Sequence, residues 1–261
     1  MTKSVILGLN SAGFNTSSSL LVDGEPVFAT EEERLIRKKR TRQFPAAGIR
    51  AALDHASMDI EDVDSVAIAW NPAINLEGFN LPQSQRARYL GEIFYSVPSH
   101  LMKLSPGCDA EHSQQILTYS NRKPLNIHYV THHRAHASSF FFSPFDEASI
   151  LTIDAFGEKE CVTFNAGQGN QIKNIWSQEF PQSLGSYYST LTAYLGFSAQ
   201  SDEWKLMGAS AYGDPNSIYY DHLKKLVKLG DDGSFELELK YFNHFQFHRP
   251  GLFTAQMESI I

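Results

Sequence analysis

The chain has 261 residues, of which 42% are hydrophobic and 12% aromatic, so it can bury a large core and is not a disordered protein. Its 22 Lys and Arg residues against 29 Asp and Glu residues give a net charge of −7, which argues against a general nucleic-acid binder. Two cysteines form neither a CxxC motif nor a disulfide framework, which is typical of a reducing cytosol. The apolar run at residues 5–9 is too short to cross a membrane or direct secretion. We therefore expect a soluble cytoplasmic protein that binds neither membranes nor nucleic acid.

The first thirty residues predict three antiparallel strands. Residues 4–10 are apolar and β-branched, and they end in the small, polar turn Asn10-Ser11-Ala12-Gly13. Residues 18–22 stop at Asp23-Gly24, a two-residue hairpin signal, and residues 26–30 form the partner strand.

A helix and two more strands complete the pattern of one lobe. Pro45 can open a helix, and residues 63–69 and 127–130 have the composition of strands. Residues 71–125 mix aromatic and polar residues without a regular period, and we interpret them as a helical insertion. The order βββαβαβα is typical of a ribonuclease-H-like lobe, which we place at residues 1–147.

Residues 148–261 begin with the same pattern again. Predicted strands at 150–154, 161–165 and 172–180 repeat the spacing of the first three strands. A repeated lobe of this kind is the α/β architecture of actin, hexokinase and Hsp70. The βαβ half that would follow is not there, so we expect a complete first lobe and a truncated second lobe. The three strands of the second lobe would leave a sheet edge open to another domain, another chain or a second copy.

Two histidines and an aspartate form a candidate metal site. His132 and His136 are four residues apart, a spacing that on a helix places their Cβ atoms about 5–6 Å apart on one face. Asp154 ends an apolar β-branched run, where an α/β sheet presents a working carboxylate. Two imidazoles and one carboxylate suit iron and zinc equally, so the sequence predicts a divalent metal without identifying it. The alternative is a pair of ordinary surface histidines.

Small residues in turns and a few lysines are the candidates for nucleotide binding. Backbone N–H groups of the first turn in each lobe would face the phosphates, and lysine side chains would neutralise their charge. The candidates are Gly8, Asn10, Ser11, Lys38, Lys39, Gly157, Lys205 and Gly208. The alternatives are a solvated face for the basic run around Lys38, and a helix-capping role for Lys205. No general base is identified by the sequence.

Several acidic and aromatic residues have simpler interpretations than a functional site. The acidic residues Glu31, Glu32 and Glu33 suit a salt-bridge cluster at the end of a strand as well as they suit a site. The tyrosines at positions 187, 188 and 194 have helical spacing, which favours a core or lobe-interface role over an acceptor-binding role.

Eight short segments resemble the O-carbamoyltransferases of nodulation and antibiotic tailoring, and they occur in that family's order up to about Pro215. They are Ile6-Leu7-Gly8-Leu9-Asn10, Leu21-Val22-Asp23-Gly24, Glu31-Glu32-Glu33-Arg34, His132-His133-Arg134-Ala135-His136-Ala137, Asp154-Ala155-Phe156-Gly157-Glu158, Ser183-Leu184-Gly185, Tyr194-Leu195-Gly196-Phe197, and Lys205-Leu206-Met207-Gly208 with Tyr212-Gly213. The amino-terminal domain of that family resembles the universal tRNA threonylcarbamoyladenosine synthase.

The resemblance implies an enzyme that uses carbamoyl phosphate and ATP. In that family a carboxy-terminal YrdC-like domain makes carbamoyl-adenylate, and the amino-terminal domain passes the carbamoyl group to the hydroxyl of a small-molecule acceptor at a metal-containing site. His132, His136 and Asp154 match the family's metal ligands, and a further aspartate comes from later than Ile261. We therefore expect an amino-terminal fragment, without the YrdC-like domain, that is inactive by itself.

Single features of the sequence also point to two other classes of function. The first alternative is a non-catalytic, actin-like module that binds nucleotide and metal together with a partner chain. A metalloprotease is disfavoured, because such enzymes place a glutamate directly after the first metal-binding histidine and His133 stands there.

Overall fold

The computed structural model describes residues 3–11, 15–71, 101, 107, 111–118, 122–246 and 250–260. The chain divides into two compact units, residues 1–135 and 136–261. The predicted lobe boundary after residue 147 rests on the repeated spacing of the strands, and it stays a prediction.

The first unit is built on a six-stranded mixed sheet. Its strands are β1 (Val5–Asn10), β2 (Ser17–Val22), β3 (Glu25–Glu31), β4 (Ser65–Ile68), β5 (His112–Leu117) and β6 (Leu125–Val130). They lie in the order β3-β2-β1-β4-β6-β5, in which β1, β4 and β6 are parallel and the other strands pair antiparallel. The order from β3 to β6 is that of a ribonuclease-H-like lobe, so the predicted α/β fold class is confirmed.

The hairpin of β2 and β3 is fixed by the turn between them. Asp23 and Gly24 both have positive φ angles, 55° and 86°, as a tight two-residue hairpin turn requires. Asp23 also holds the start of β1, because its Oδ1 accepts a hydrogen bond of 2.8 Å from the backbone N–H of Ser4. The Asp23-Gly24 turn therefore ties all three strands of the meander together.

Two helices follow the meander, and the second of them packs on its core. They are α1 (Glu32–Ile36) and α2 (Ala46–Ala56), and Pro45 stands at the N-cap of α2 as predicted. Every second residue of β1 points inward, which is the alternation expected of a strand with one face on a core. The core cluster of this unit consists of Val5, Leu7, Leu9, Leu20, Ala52, Leu53, Val63 and Val66.

The predicted helical insertion at residues 71–125 is wrong at its carboxy-terminal end, where β5 pairs antiparallel with β6. The polar residues of β5 conceal the strand, since side-chain hydrogen bonds across the ladder replace apolar alternation. Gln114 Nε2 donates to Asn126 Oδ1 at 3.3 Å, and the hydroxyl of Tyr129 donates to Gln115 Oε1 at 3.0 Å. Most of the remaining insertion lies outside the described residues.

The second unit contains a three-stranded antiparallel sheet. Its strands, in the order β7-β8-β9, are β7 (Glu147–Ile153), β8 (Glu160–Gln168) and β9 (Gln171–Glu179). The three predicted strands are thus confirmed, with slightly different ends. The α-helices that follow the first sheet along the chain are α3 (His132–Ala137), α4 (Leu184–Tyr194), α5 (Glu203–Ala209) and α6 (Ile218–Lys224). Among the described helices, none has the length and apolar content needed to cross a bilayer.

The last fifty residues have a core of their own, which their polar and aromatic composition does not reveal. A hairpin of β10 (Val227–Leu229) and β11 (Phe235–Leu237) follows α6. The buried cluster of this region contains Leu226, Leu237, Phe242 and Met257. Tyr187 and Tyr194 of α4 pack against that cluster, so their predicted core role is confirmed.

His244 is a buried histidine whose protonation opposes folding. Its ring meets the rings of Phe180 and Phe242 edge to face, and its Nε2 is 2.9 Å from the carbonyl oxygen of Pro181, which can only accept a hydrogen bond. Burial lowers the pKa of His244, so the folded protein holds this ring neutral. In the unfolded chain a histidine takes up a proton as the pH falls below about 6.5. Stability is therefore lost as the pH falls from about 6.5 toward the lower pKa of the folded state.

We predict that His244→Gln weakens the fall in melting temperature between pH 7.5 and pH 5. Glutamine keeps a donor for Pro181 but cannot be protonated, so the variant lacks this contribution to the pH dependence. The matched control is His55→Gln, at an exposed position, which should follow the wild-type pH dependence. Equal pH dependence in the wild type and His244→Gln would contradict the prediction.

Candidate metal site

The strand order of the first sheet brings α3 to its carboxyl edge. Because β1, β4 and β6 are parallel, they end at the same edge, with Asn10, Ile68 and Val130 as their last residues. From Val130 the chain passes through Thr131 and enters α3 at His132. Ligand sites of α/β sheets form beyond the carboxyl ends of the strands. The position of His132 fits such a site.

One helix and one strand end supply three potential metal ligands. His132 and His136 lie one turn apart on α3, and His136 Nε2 is 3.3 Å from Asp154 Oδ2. One ligand atom from each of the three side chains lies within 4.8 Å of the other two. Within the described residues, this is the group of His, Cys, Asp and Glu side chains with metal-binding geometry. Two imidazoles and a carboxylate fit a transition metal.

The backbone turn after β7 orients the carboxylate of Asp154. Its own N–H donates to the carbonyl of Cys161 at 2.9 Å, and its Oδ1 accepts a hydrogen bond of 2.6 Å from the N–H of Ala155. Oδ2 is thereby the oxygen that faces His136. The neighbouring Cys161 is not a ligand candidate, because burial raises the pKa of its thiol to about 12 and keeps it protonated.

Packing around the start of α3 sets the orientation of His132. Its ring meets the ring of Trp70 edge to face, with centroids 5.5 Å apart. His133 is buried, and Arg134 pairs with Glu111 at 3.0 Å. The first turn of α3 is therefore held by the ring contact with Trp70 and the ion pair with Glu111.

The predicted phosphate-binding turn of the first lobe begins later than expected. Gly8 lies inside β1, opposite Ser19 and Ala67, and a Cβ atom at this position would overlap the Ser19 hydroxyl. The glycine at position 8 thus serves strand pairing, and its placement in a turn is wrong. Asn10 is the last residue of β1, and the exposed Ser11 follows it at the carboxyl edge.

The basic run after α1 is tied to a buried carboxylate. Lys39 Nζ is 2.8 Å from Glu33 Oε1, and the N–H of Arg40 donates to Glu33 Oε2 at 2.8 Å. The hydrogen bond from Lys39 holds the pKa of Glu33 below its ordinary value, with the Arg40 N–H as the next cause. Lys39 is thus paired with the carboxylate of Glu33, whereas Lys38 lies exposed in the same loop.

Two of the three predicted phosphate-binding residues of the second unit, Gly157 and Lys205, also have structural partners. The N–H of Gly157 donates to Glu160 within the β7–β8 turn at 2.7 Å, and Lys205 pairs with Asp202 at 3.0 Å. Gly208 lies on the exposed face of α5, and a Cβ atom at this position would meet open space. Lys205 lies in the first turn of α5, where the unpaired backbone groups are N–H donors, so its ion pair with Asp202 does not support the alternative of a helix-capping cation.

A cavity of about 630 Å³ lies beside Asp154, within the second unit. Tyr188, Ser189 and Glu203 line it together with the Asp154–Ala155 backbone. The Tyr188 hydroxyl donates to the Glu203 carbonyl at 2.8 Å, and Ser189 Oγ donates to Glu203 Oε1 at 2.6 Å. Sequence spacing groups Tyr188 with the core tyrosines, and nothing in the sequence singles out Glu203. Contact between α4 and α5 is what brings these side chains to the candidate site.

Residues 5–249 match the family described as Carbamoyltransferase N-terminus. The chain is 36% identical over 246 residues to the uncharacterized protein sll1178 of Synechocystis, covering 92% of this chain and 39% of that protein. It is 31% identical over 238 residues to the nodulation protein NolNO of Sinorhizobium fredii, covering 89% of this chain and 33% of that protein. The chain thus spans about two-fifths or less of the length of these relatives.

Among solved structures, YeaZ from Pseudomonas aeruginosa is similar, with a TM-score of 0.32 and 14% identity over 69% of this chain and 68% of that one. The fold assignment rests on the strand order of the six-stranded sheet. The family assignment rests on the match to residues 5–249, which includes both sheets and all three candidate metal ligands. The chain belongs to the carbamoyltransferase N-terminal family.

Proposed function

We propose that the chain is the amino-terminal, metal-holding part of an O-carbamoyltransferase that depends on ATP and carbamoyl phosphate. The observation that carries this proposal is the cluster of His132, His136 and Asp154 in a chain of the carbamoyltransferase N-terminal family. A divalent ion held there, iron or zinc, would act as a Lewis acid for the charge that develops on the carbamoyl oxygen.

The protein's own groups would orient the reactants around that cluster. Transfer forms a bond between the acceptor oxygen and the carbamoyl carbon, breaks the bond from that carbon to the adenylate oxygen, and releases AMP and the proton of the acceptor hydroxyl. Asp154 is held by the Ala155 N–H, so its other oxygen faces His136. The adjoining cavity of about 630 Å³ has the size of a small-molecule site. We propose that it takes part of the carbamoyl-adenylate or of the hydroxyl acceptor.

The second sheet offers a place for a further domain. In the described residues β7 is an edge strand, whereas its counterpart β1 is paired on both sides. Leu151 and Ile153 of β7 are 60% and 52% exposed. Exposed apolar edge strands are normally covered or paired. We propose that another part of the complete protein, or a second chain, covers this edge, and that a YrdC-like domain supplies carbamoyl-adenylate.

The test is carbamoyl transfer from isotopically labelled carbamoyl phosphate in the presence of ATP and a divalent metal. The 261-residue chain alone should not label a panel of hydroxyl acceptors, including nodulation oligosaccharides and aminoglycosides. The chain supplied with the carboxy-terminal part of a longer family member should label at least one. Asp154→Asn in the supplied system should remove that labelling.

Two outcomes would decide against the proposal. Transfer by the 261-residue chain alone would contradict the division of labour between two parts of the protein. Nucleotide binding without transfer, after the carboxy-terminal part is supplied, would support the alternative of a non-catalytic module that works with a partner chain.

A further inference from the structure

The backbone of Asp154 and Ala155 is held by the start of α4. Residues 183–186, here called the α4 entry segment, form the N-cap and first turn of this helix. Ser183 Oγ donates to the carbonyl of Ala155 at 2.6 Å and lies 3.3 Å from the carbonyl of Asp154. Ser186 Oγ reaches the same Ala155 carbonyl at 3.3 Å. Ser183 is fully buried, so these bonds are shielded from water.

Gly185 lies very close to the backbone of the turn after β7. A Cβ atom at Gly185 would lie 2.6 Å from the Cα of Ala155 and 2.6 Å from the carbonyl carbon of Asp154. Both atoms belong to the backbone, so no side-chain rotation can relieve the overlap. Any larger residue at position 185 must move the Asp154–Ala155 turn or the start of α4.

Movement of that turn would move the candidate ligand itself. Asp154 Oδ1 accepts the 2.6 Å hydrogen bond from the Ala155 N–H, so the carboxylate follows the position of this peptide. Its other oxygen is the one 3.3 Å from His136 Nε2. The α4 entry segment therefore acts on the carboxylate through the Ala155 backbone.

We propose that the α4 entry segment positions Asp154 for metal binding, with Ser183 and Gly185 as the positioning residues. This inference rests on the proposed metal site. It also explains why a serine and a glycine stand two residues apart at the start of α4. Serine supplies a buried donor to the Ala155 carbonyl, and glycine permits the backbones to approach.

The experiment compares the binding of Co²⁺ to the 261-residue chain and its variants, measured by titration of the visible absorption of the bound ion. Gly185→Ala and Ser183→Ala should each weaken Co²⁺ binding by about 10–100-fold, the usual effect of losing a group that orients a ligand. The absorption bands should also shift, because the carboxylate reaches the ion at a changed angle.

The matched control is Thr190→Ala. Thr190 is a fully buried hydroxyl on the same helix, and it donates to the Ser186 carbonyl at 2.8 Å rather than to the Asp154–Ala155 turn. This variant should lose a similar amount of helix stability but keep wild-type Co²⁺ affinity and spectrum. Circular dichroism checks that each variant is folded, and Ser183→Ala keeps the test decisive if Gly185→Ala does not fold.

A second measurement separates the positioning role from the existence of the metal site. Without metal, the amide NMR signal of Ala155 should shift in Ser183→Ala and Gly185→Ala but stay in place in Thr190→Ala. If the wild type bound no Co²⁺ but these shifts appeared, the metal site would be wrong and the positioning of Asp154 would stand. Co²⁺ affinity within about twofold of wild type in folded Ser183→Ala, with an unmoved Ala155 signal, would overturn the inference.

Discussion

His136→Ala and Asp154→Asn will each remove tight binding of a divalent ion. His136 and Asp154 face each other at 3.3 Å, and both belong to the group of three ligand atoms within 4.8 Å. Losing a group that only orients a ligand lowers metal affinity by about 10–100-fold. Losing a ligand itself should therefore lower metal affinity by more than about 100-fold. Isothermal titration with Zn²⁺ and elemental analysis of the purified variants measure this effect.

The control for these variants is His55→Ala, an exposed histidine of the first unit outside the cluster. It should bind Zn²⁺ like the wild type. Asp154→Asn keeps the size of the side chain and an oxygen for the Ala155 N–H, so it tests charge and ligand strength rather than packing. Unchanged metal content in both ligand variants would contradict the metal site and support the alternative that His132 and His136 are ordinary surface histidines.

Glu32→Ala will destabilise the first unit strongly. Glu32 is buried, and its carboxylate accepts hydrogen bonds from the N–H groups of Ala47 at 3.1 Å and Gly48 at 2.8 Å. These N–H groups belong to the first turn of α2, whose N-cap Pro45 provides no side-chain acceptor. Removing the carboxylate leaves two donors without their acceptor, at a cost of about 2–5 kcal/mol in the free energy of unfolding.

Glu31→Ala is the matched control for that prediction. Glu31 stands next to Glu32 and pairs with Arg34 at 3.3 Å, but the Arg34 side chain is 65% exposed. An exposed pair of this kind contributes less than about 1 kcal/mol. Urea unfolding of both variants measures the difference. Equal stability of Glu31→Ala and Glu32→Ala would show that the cap on α2 is not a major source of stability.

Much of the fold follows from local patterns in the sequence. The alternation of Val5, Leu7 and Leu9 predicts a strand with one buried face, and Asp23-Gly24 predicts the hairpin turn. Strand β5 is missed because its side chains bond to one another across the ladder and show no apolar alternation. The core of the last fifty residues is missed because its buried members, Leu226, Leu237, Phe242 and Met257, stand among polar and aromatic residues without a regular apolar period.

The sequence likewise predicts only part of the candidate site. The spacing of His132 and His136 and the strand before Asp154 predict a cluster that the structure brings together. Tyr188 and Glu203 need the contact between α4 and α5, which no local pattern encodes. The pairing of Lys39 with Glu33 likewise depends on how the loop after α1 folds back. Local spacing therefore identifies candidate ligands, while long-range packing decides which charged groups are paired within the protein.

Anomalous diffraction from a crystal of the wild-type chain soaked in Zn²⁺ tests the metal site most directly. A difference map at the zinc absorption edge shows where the ion lies, independently of activity. We predict one strong peak within about 2.0–2.2 Å of ligand atoms from His132, His136 and Asp154. No peak at these side chains, or the strongest peak at another set of residues, would contradict it.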